Sequence, residues 1–189
     1  MSINLEIESK VMITREDYKK LLKEFSHEKT YTQTNFYILP INKENYSKEF
    51  GIRIRKKNHN FELTIKQNLK IAKKEINQKI SRKSHKFFVK TGIFPDGEVK
   101  DFIIKNCSYN IEDLRILGKM ITTRTDINFE GSLISIDKSK YNGKIDYEIE
   151  CEDKSINSAE TKLKKFLSSR NIKYEKSKYS KLARFLLTK

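Results

Sequence analysis

Cysteine and proline are both scarce in this chain of 189 residues, and each scarcity excludes a class of protein. The only two cysteines, Cys107 and Cys151, do not stand at a spacing typical of a metal site, so we expect two free thiols in a reducing compartment. Pro40 and Pro95 are the only prolines, and no low-complexity linker interrupts the chain. These absences argue against a disulfide scaffold and against a string of domains, so one domain over residues 1–189 is predicted.

Long apolar runs are missing as well. No stretch approaches the roughly 18 apolar residues of a membrane span, and no signal peptide is visible, so a cytoplasmic protein without a membrane partner is expected. Hydrophobic residues make up only 37% of the chain, but 11 Phe and 9 Tyr argue against disorder, because disordered chains are poor in aromatic residues. The composition therefore predicts a folded globular protein.

Positive charge is abundant, with a formal net charge of +15. Such a chain attracts nucleic acid, anionic lipid or small polyanions such as nucleotides and polyphosphates. Part of the excess can be compositional, because Lys, Ile and Asn are plentiful while Ala, Gly and Pro are scarce. Lysines gather around residues 83–90 and 162–165, but no zinc-finger or RRM signature accompanies them, so nucleic acid is disfavoured as the main partner.

Hydrophobic periodicity predicts an antiparallel arrangement of strands with helices at the start, middle and end. Residues 3–13 alternate as in a strand, and Thr14 can cap a helix that follows. Asn142-Gly143 is a strong hairpin signal. Further strands are predicted at 31–38, 50–56, 60–67, 73–79, 119–128, 132–138 and 145–152, and further helices within 81–118 and at 156–169 and 177–187. About eight strands with short connections favour the α+β class.

Each of several predicted strands has one apolar face and one charged face, because side chains alternate along a strand. Exposure to solvent explains such a face on any single strand. Here, however, the charges are sorted, with glutamate pairs on two strands and an arginine pair on another. The charged faces carry Glu6, Glu8 and Lys10; Arg53 and Arg55; Glu62, Thr64 and Lys66; Ser135 and Asp137; and Glu148, Glu150 and Glu152.

These pairs suit a bound metal and a bound phosphate. Two carboxylates side by side are the ligands that hard divalent cations prefer, and two guanidinium forks suit phosphate oxygens. If the strands close into a barrel, the charged faces meet inside and the apolar faces need the amphipathic helices as an outer cover. Without a ligand, the like charges of such an interior are expected to repel one another.

Within the segment Leu5–Lys10, residues 6–10 read Glu-x-Glu-x-Lys, and this motif resembles the opening signature of the CYTH superfamily, the triphosphate tunnel metalloenzymes. The resemblance spans nearly the whole chain and is strongest to a Gram-positive bacterial subgroup. Further matching segments follow in the family's order: Tyr31–Tyr37, Ile52–Arg55, Glu62–Lys66, Thr122–Arg124, Ile136–Asp137, Asp146–Glu150 and Lys176–Lys181.

The resemblance implies a closed eight-stranded antiparallel β-barrel with a polar interior, the triphosphate tunnel, and it implies a role for each matching residue. For Mg²⁺ or Mn²⁺ the implied ligands are Glu6, Glu8, Asp137, Glu148 and Glu150. For the triphosphate the implied side chains are Lys10, Arg53, Arg55, Lys66, Arg124 and Lys178, with Lys176 and Lys181 close to the last of these. Within these sets, Glu148, Lys10 and Arg55 are the expected catalytic residues. Where the family often has a second acidic pair, this chain has Glu75 and Asn77.

The function that the resemblance implies is metal-dependent hydrolysis of an inorganic or organic triphosphate, such as tripolyphosphate, thiamine triphosphate or a nucleoside triphosphate. One alternative is cyclisation of ATP, as in class IV adenylate cyclases. A second is a non-catalytic protein that binds a polyphosphate or nucleotide. The expected partner is a small-molecule triphosphate, and the expected state is a monomer or homodimer.

Overall fold

The structure is a computed structural model, and it describes residues 2–42, 47–69 and 72–188. Within those ranges it contains nine β-strands and five α-helices. The strands are β1 (Ser2–Glu6), β2 (Glu8–Met12), β3 (Thr30–Pro40), β4 (Phe50–Lys57), β5 (Asn60–Asn68), β6 (Lys73–Ile80), β7 (Leu114–Phe129), β8 (Ser132–Tyr141) and β9 (Lys144–Glu152). The helices are α1 (Arg15–Glu24), α2 (Arg82–Thr91), α3 (Glu98–Asn106), α4 (Ile156–Ser168) and α5 (Lys181–Leu187).

The strands form one sheet in the order β1-β6-β5-β4-β3-β7-β8-β9-β2. The first and last strands of this order, β1 and β2, are consecutive in the chain and only Ile7 separates them. A sheet whose two edges are joined in this way has the connectivity of a barrel. The predicted α+β class with an antiparallel barrel is therefore confirmed.

The number of strands is nine rather than the predicted eight, because the strand expected over 3–13 is divided at Ile7. β1 pairs with β6, so that Glu6 lies opposite Lys73, whereas β2 pairs with β9, so that Glu8 lies opposite Glu152. Glu6 and Glu8 were expected to share one face of one strand. They belong instead to two strands with different partners.

Two compact units divide the chain. Unit 1 comprises Met1–Glu6 and Gln33–Met120, and unit 2 comprises Ile7–Thr32 and Ile121–Lys189. Each unit has its own apolar core. The single domain expected over residues 1–189 stays a prediction.

In unit 1 the apolar faces of β4 and β5 lie beneath α2 and α3. Ile54 and Leu63 have no exposed surface, and they belong to the same core as Phe88 of α2 and Ile103 of α3. Alternation then places Arg53 and Lys66 on the opposite face of these strands. Burying the apolar face thus determines where the charged side chains point.

In unit 2 the apolar faces of β2, β8 and β9 are covered by α1 and α4. Val11, Ile136 and Ile149 are fully buried, in one core with Leu21 of α1 and Phe166 of α4. The predicted role of the amphipathic helices as a cover of the apolar faces is confirmed for α1 and α4 here and for α2 and α3 in unit 1, whereas the last helix, α5, contacts the charged face instead. Among the described residues, no helix combines the length and the apolar character that a membrane span requires.

Two boundaries differ from the prediction, and one turn agrees with it. The predicted last helix, over 177–187, starts only at Lys181, because the Ser180 side chain accepts a hydrogen bond from the Ala183 amide at 3.1 Å and caps it. β7 starts at Leu114, inside the region expected to be helical. The Asn142-Gly143 hairpin is confirmed, with positive φ angles of 44° and 76°.

Candidate active site

The strand register of unit 2 brings charged residues from four strands side by side. Lys10 of β2 lies opposite Glu150 of β9, and Glu148 of β9 lies opposite Asp137 of β8. Arg124 of β7 lies opposite Asp137 on its other side. Because side chains alternate along each strand, these five share one face, opposite the apolar core.

Helix α5 adds two more cations to this face. The Lys181 Nζ lies 2.8 Å from Asp137 Oδ2 and 2.9 Å from Glu150 Oε1, and it also contacts Glu148 Oε1. Arg184, one helical turn later, pairs with the other Glu148 oxygen and donates from Nε to Asp146 Oδ2 at 2.8 Å. We call the resulting group the unit 2 cluster; it comprises Glu8, Lys10, Arg124, Asp137, Asp146, Glu148, Glu150, Lys181 and Arg184.

Helix α5 is fixed to the rest of unit 2 by contacts that leave its two cations aimed at the carboxylates. Phe185 is fully buried, and the Asn142 side chain donates to the Phe185 carbonyl at 3.0 Å. The preceding segment is also tied down, since the Ser177 amide donates to the Lys10 carbonyl at 3.0 Å. These contacts together determine where Lys181 and Arg184 can reach.

Charges in the cluster are paired, and Arg124, Asp137, Glu148 and Glu150 are buried. Arg124 donates to Asp137 through two parallel bonds of 2.7 and 2.6 Å, and its Nη2 also donates to Glu150 Oε2 at 2.6 Å. Burial alone would raise the pKa of Asp137, but Lys181 and Arg124 lower it to about 2. Burial alone would lower the pKa of Arg124, but Asp137 and Glu150 raise it well above its usual range. Both groups are ionised at neutral pH.

Asp137, Glu148 and Glu150 can hold a metal ion. One carboxylate oxygen from each lies within 4.8 Å of the others, and all three residues are buried. Buried carboxylate oxygens are the ligands that Mg²⁺ and Mn²⁺ favour. The Lys181 amino group contacts all three carboxylates. Burial lowers the pKa of Lys181 well below its usual range, although Asp137 raises it. The donor set therefore fits a hard divalent cation.

Unit 1 contains a second charged group on the polar face of β1, β4, β5 and β6. Lys66 Nζ lies 2.7 Å from Glu6 Oε2 and also pairs with Glu75, and Lys73 lies 3.6 Å from Glu6. Burial raises the pKa of Glu75, but the stronger combined effect of Lys66 and Arg53 lowers it below its usual value. We call Glu6, Arg53, Lys66, Lys73 and Glu75 the unit 1 cluster.

The two predicted arginines of β4 have different surroundings. The Nε of Arg53 is buried and has no hydrogen-bond partner within the described ranges, whereas Arg55 Nε donates to Asn35 Oδ1 at 3.0 Å. A buried donor without a partner is costly unless a ligand satisfies it. Asn77, at the position of the family's second acid, accepts from Thr64 Oγ1 at 2.7 Å. In this structure Asn77 has a hydrogen-bonding role within the sheet.

The predicted site residues thus fall into two groups. Unit 2 brings together Glu8, Lys10, Arg124, Asp137, Glu148 and Glu150. Unit 1 brings together Glu6, Arg53 and Lys66, and it carries Arg55 two residues from Arg53 on the same strand.

Lys178 is the exception, because it is exposed and lies in neither cluster. Lys178 precedes the capped start of α5. The lysine of the C-terminal segment that reaches the carboxylates is Lys181, which the sequence resemblance indicates only as a neighbour of Lys178. Arg184 was missed, and Asp146 was named only as part of a matching segment, without a role. The i, i+3 spacing of Lys181 and Arg184 on a short amphipathic helix was the available signal.

The expected mutual repulsion within the charged interior is not observed within either unit. Four cations of the unit 2 cluster are interleaved with its five carboxylates, and Lys66 and Lys73 pair with Glu6 in unit 1. The sequence pattern sorted charges by strand, but the register places Lys10 opposite Glu150 and Arg124 opposite Asp137. The carboxylates Asp137 and Glu148 also lie opposite each other, and Lys181 contacts both. The clusters are therefore held together by ion pairs in the free protein.

Comparisons with known proteins identify the family. The family model of the CYTH domain matches residues 4–186. A curated protein of Bacillus subtilis (strain 168), a Gram-positive bacterium, named "Putative triphosphatase YjbK", is 30% identical over 193 residues, which cover 98% of this chain and 96% of that protein.

Two solved structures are similar to this chain over nearly its whole length. A "putative adenylate cyclase" of Bacillus halodurans is 29% identical, with a TM-score of 0.88 and coverage of 98% of this chain and 99% of the other. HpAC1 of Hippeastrum, a protein described as having a dominant triphosphatase activity, is 22% identical with a TM-score of 0.84, covering 97% of this chain and 96% of its own; at this identity the similarity indicates the fold. From the family model, the curated relative and the shared fold, the chain belongs to the CYTH domain family.

Proposed function

We propose that this protein is a metal-dependent triphosphatase that releases phosphate from an inorganic or organic triphosphate. The observation that carries the proposal is the unit 2 cluster, in which three buried carboxylates able to hold a divalent cation lie beside the cations Lys10, Arg124 and Lys181. Phosphoryl transfer depends on neutralising and positioning the phosphate oxygens more than on covalent chemistry. The relative YjbK carries a triphosphatase name, which supports the same reaction class.

We assign two roles to the carboxylates of unit 2, namely binding a metal ion and orienting the attacking water. A Mg²⁺ or Mn²⁺ ion bound to Asp137, Glu148 and Glu150 would neutralise the phosphate oxygens and orient them. Glu148 has its two oxygens in contact with different cations, Lys181 and Arg184. We assign one oxygen of Glu148 to the metal and the other to a hydrogen bond from the attacking water.

The cationic side chains bind the substrate. In the free protein Lys10 pairs with Glu8 at 2.7 Å, and Arg124 forms a two-pronged pair with Asp137. Phosphate oxygens are acceptors of the same kind as these carboxylates, so each cation can exchange one for the other. The planar guanidinium of Arg124 would hold two oxygens of one phosphoryl group.

We also propose that residues of unit 1 bind the substrate and the metal, because they match the family's motifs and because their side chains suit these ligands. Arg53 has a buried Nε with no partner among the described residues, as expected of a donor that an anionic ligand satisfies. Arg55 and Lys66 are assigned to triphosphate oxygens by the family motif. Glu6, and Glu8 of unit 2, remain proposed metal ligands on the same basis.

The reaction is direct attack of water on the terminal phosphorus. A new P–O bond forms as the bond to the bridging oxygen breaks, the leaving diphosphate retains the electron pair of that bond, and the proton that the attacking water loses is released to solvent. Lys10, Arg55 and Arg124 are proposed to stabilise the charge on the leaving group and on the phosphoryl oxygens, and a metal ion held by Asp137, Glu148 and Glu150 would add to this neutralisation.

The test is a substrate panel of tripolyphosphate, thiamine triphosphate, ATP and GTP, each with Mg²⁺ and with Mn²⁺. We expect metal-dependent phosphate release from at least one of them, and a loss of about 10²-fold or more in kcat for Glu148→Gln and Arg55→Ala. Lys178→Gln, a charge change at an exposed site, is the control and should retain full activity. Equal rates in the parent, Glu148→Gln and Arg55→Ala would overturn the assignment.

Thermal denaturation gives a second readout. A ligand that binds only the folded state raises the melting temperature, so tripolyphosphate with Mg²⁺ should raise it by several degrees. Binding without turnover in the panel would favour the non-catalytic alternative. No shift at millimolar ligand, together with no turnover, would exclude the proposed site.

Cyclisation of ATP is the second candidate, favoured by the name of the 29% identical Bacillus halodurans protein. The same cations would hold the phosphates, but a ribose hydroxyl would replace water as the nucleophile. Measuring cyclic AMP and phosphate in one ATP reaction separates the two. Cyclic AMP as the main product would replace the proposed function.

A further inference from the structure

The ammonium of Lys181 lies where the three carboxylates of the candidate metal group converge. Its Nζ contacts Asp137 Oδ2 at 2.8 Å, Glu150 Oε1 at 2.9 Å and Glu148 Oε1. Other cations of the cluster contact fewer of these carboxylates through the bonds described above: Arg124 pairs with Asp137 and Glu150, and Lys10 pairs with Glu150 at 3.3 Å. Lys181 therefore occupies the position of an internal counter-cation.

A divalent cation at these oxygens and the Lys181 ammonium exclude each other. Metal ligands lie about 2.0–2.6 Å from Mg²⁺ or Ca²⁺, so an ammonium in contact with the same three oxygens would be within a few ångströms of the metal. Repulsion between a divalent and a monovalent cation at that range is large in a site with little solvent. Only 13% of the Lys181 side chain is exposed, so solvent screens the pair weakly.

The Lys181 side chain can move without undocking α5. Its four-carbon stem is flexible, whereas the helix is held by buried Phe185, by the Asn142 side chain and by the Arg184 pairs. Displacement of the ammonium is thus a side-chain event. An unpaired, displaced ammonium in a nearly dry site is costly, and a phosphate oxygen is the partner that would compensate it.

We propose that Lys181 competes with the divalent cation for Asp137, Glu148 and Glu150, and that the triphosphate relieves this competition by accepting the displaced ammonium. This inference rests on the metal site of the proposed function and adds its regulation. The metal alone binds weakly, and the metal and the triphosphate strengthen each other's binding. By thermodynamic linkage the two effects are equal in size.

The first test measures Mn²⁺ affinity without triphosphate, by calorimetry and by the electron paramagnetic resonance signal of free Mn²⁺. Lys181→Gln removes the competing charge but keeps a polar side chain, and we expect it to bind Mn²⁺ at least about tenfold more tightly than the parent. Lys178→Gln is the matched control, because it removes the same charge from an exposed residue three positions away. Its Mn²⁺ affinity should equal that of the parent.

The second measurement determines how much a bound triphosphate changes the affinity for Mn²⁺. A tripolyphosphate analogue with nitrogen in place of the bridging oxygens should tighten Mn²⁺ binding in the parent and in Lys178→Gln, and much less in Lys181→Gln. Equal or weaker Mn²⁺ affinity in Lys181→Gln than in the parent, with unchanged coupling, would overturn the competition.

A third measurement keeps the parent chain and so does not depend on the variant's folding. Displacement makes the Lys181 amine more accessible, so Mn²⁺ should increase its labelling by an acylating reagent, read by mass spectrometry. Labelling of Lys178 should stay constant. Protection of Lys181 by Mn²⁺ alone would contradict the proposal. Phosphate release by the parent is scored separately, so tighter Mn²⁺ binding by Lys181→Gln without any turnover would leave the competition standing while the proposed hydrolysis fails.

Discussion

Arg124 and Asp137 form a two-pronged buried ion pair, with Nε donating to Oδ1 at 2.7 Å and Nη2 to Oδ2 at 2.6 Å. Asp137 has no exposed surface, and Arg124 is 9% exposed. Neighbouring strands β7 and β8 hold the two residues directly opposite each other. The pair therefore links the stability of unit 2 to the residues proposed to bind metal and phosphate.

Removing the guanidinium from this pair should destabilise the protein. Arg124→Met leaves the Asp137 and Glu150 carboxylates short of a partner, which typically costs about 3–5 kcal/mol of the free energy of unfolding. Arg124→Lys keeps the charge but cannot form two parallel bonds, so its loss should be smaller. Denaturant unfolding measures both. Exposed Arg82→Met is the control, and a loss there as large as in Arg124→Met would contradict the assignment.

Acid should remove the stability that ionised Asp137 provides. Its pKa in the folded protein is lowered to about 2, below its ordinary value of about 3.9, so the contribution is complete above about pH 5 and disappears as the pH falls towards 2. Asp137→Asn lacks this titration. The difference in unfolding free energy between the parent and Asp137→Asn should therefore be constant above about pH 5 and should shrink between about pH 4 and pH 2. A difference in unfolding free energy that grows on acidification would show that the predicted direction of this pH dependence is wrong.

The hairpin residue Asn142 should stabilise helix α5. Its side chain donates to the Phe185 carbonyl at 3.0 Å and to Thr188 Oγ1 at 3.1 Å. Asn142→Gly keeps the positive-φ turn but removes these bonds, so α5 amides should exchange faster with solvent and the protein should lose about 1 kcal/mol. Asn58→Gly, at another positive φ of 55°, is the matched control. Faster exchange of α5 in both variants would show an effect unrelated to the contact.

Phe166 should be a major contributor to the unit 2 core. It is fully buried, it packs against the rings of Phe25 and Phe129 at centroid distances of 5.9 and 5.3 Å, and the Arg170 guanidinium lies 4.0 Å from its ring centroid. Phe166→Ala should cost about 3–5 kcal/mol of unfolding free energy. Phe87→Ala changes a side chain that is 52% exposed and should cost much less. Similar losses in denaturant unfolding would show that burial does not decide the effect.

Local patterns in the sequence were sufficient for the faces of the strands. The alternation of Glu148, Ile149 and Glu150 predicted which side chains share a face, because the period of two is a property of the extended backbone itself. The same holds for Arg53 and Ile54. Asn142-Gly143 predicted its hairpin because few residues tolerate positive φ.

Strand pairing was not contained in those patterns. The alternation from Leu5 to Lys10 continues through Ile7, yet the chain changes partner there, from β6 to β9. A change of partner depends on strands far away in the chain, so the local period cannot reveal it. Likewise, the sorting of charges by strand suggested repulsion, and only the register showed that Lys10 lies opposite Glu150.

The sequence by itself determined the class of fold, the family and most of the charged residues, because alternation, turn residues and motif order are local properties of the chain. Tertiary structure decided which C-terminal lysine enters the cluster. Lys176, Lys178 and Lys181 are three nearby lysines that the sequence alone does not distinguish. The capped start of α5 and the burial of Phe185 direct only Lys181 to the buried carboxylates of the unit 2 cluster. Docking of a helix depends on the surface that receives it, and that surface is assembled from strands distant in sequence.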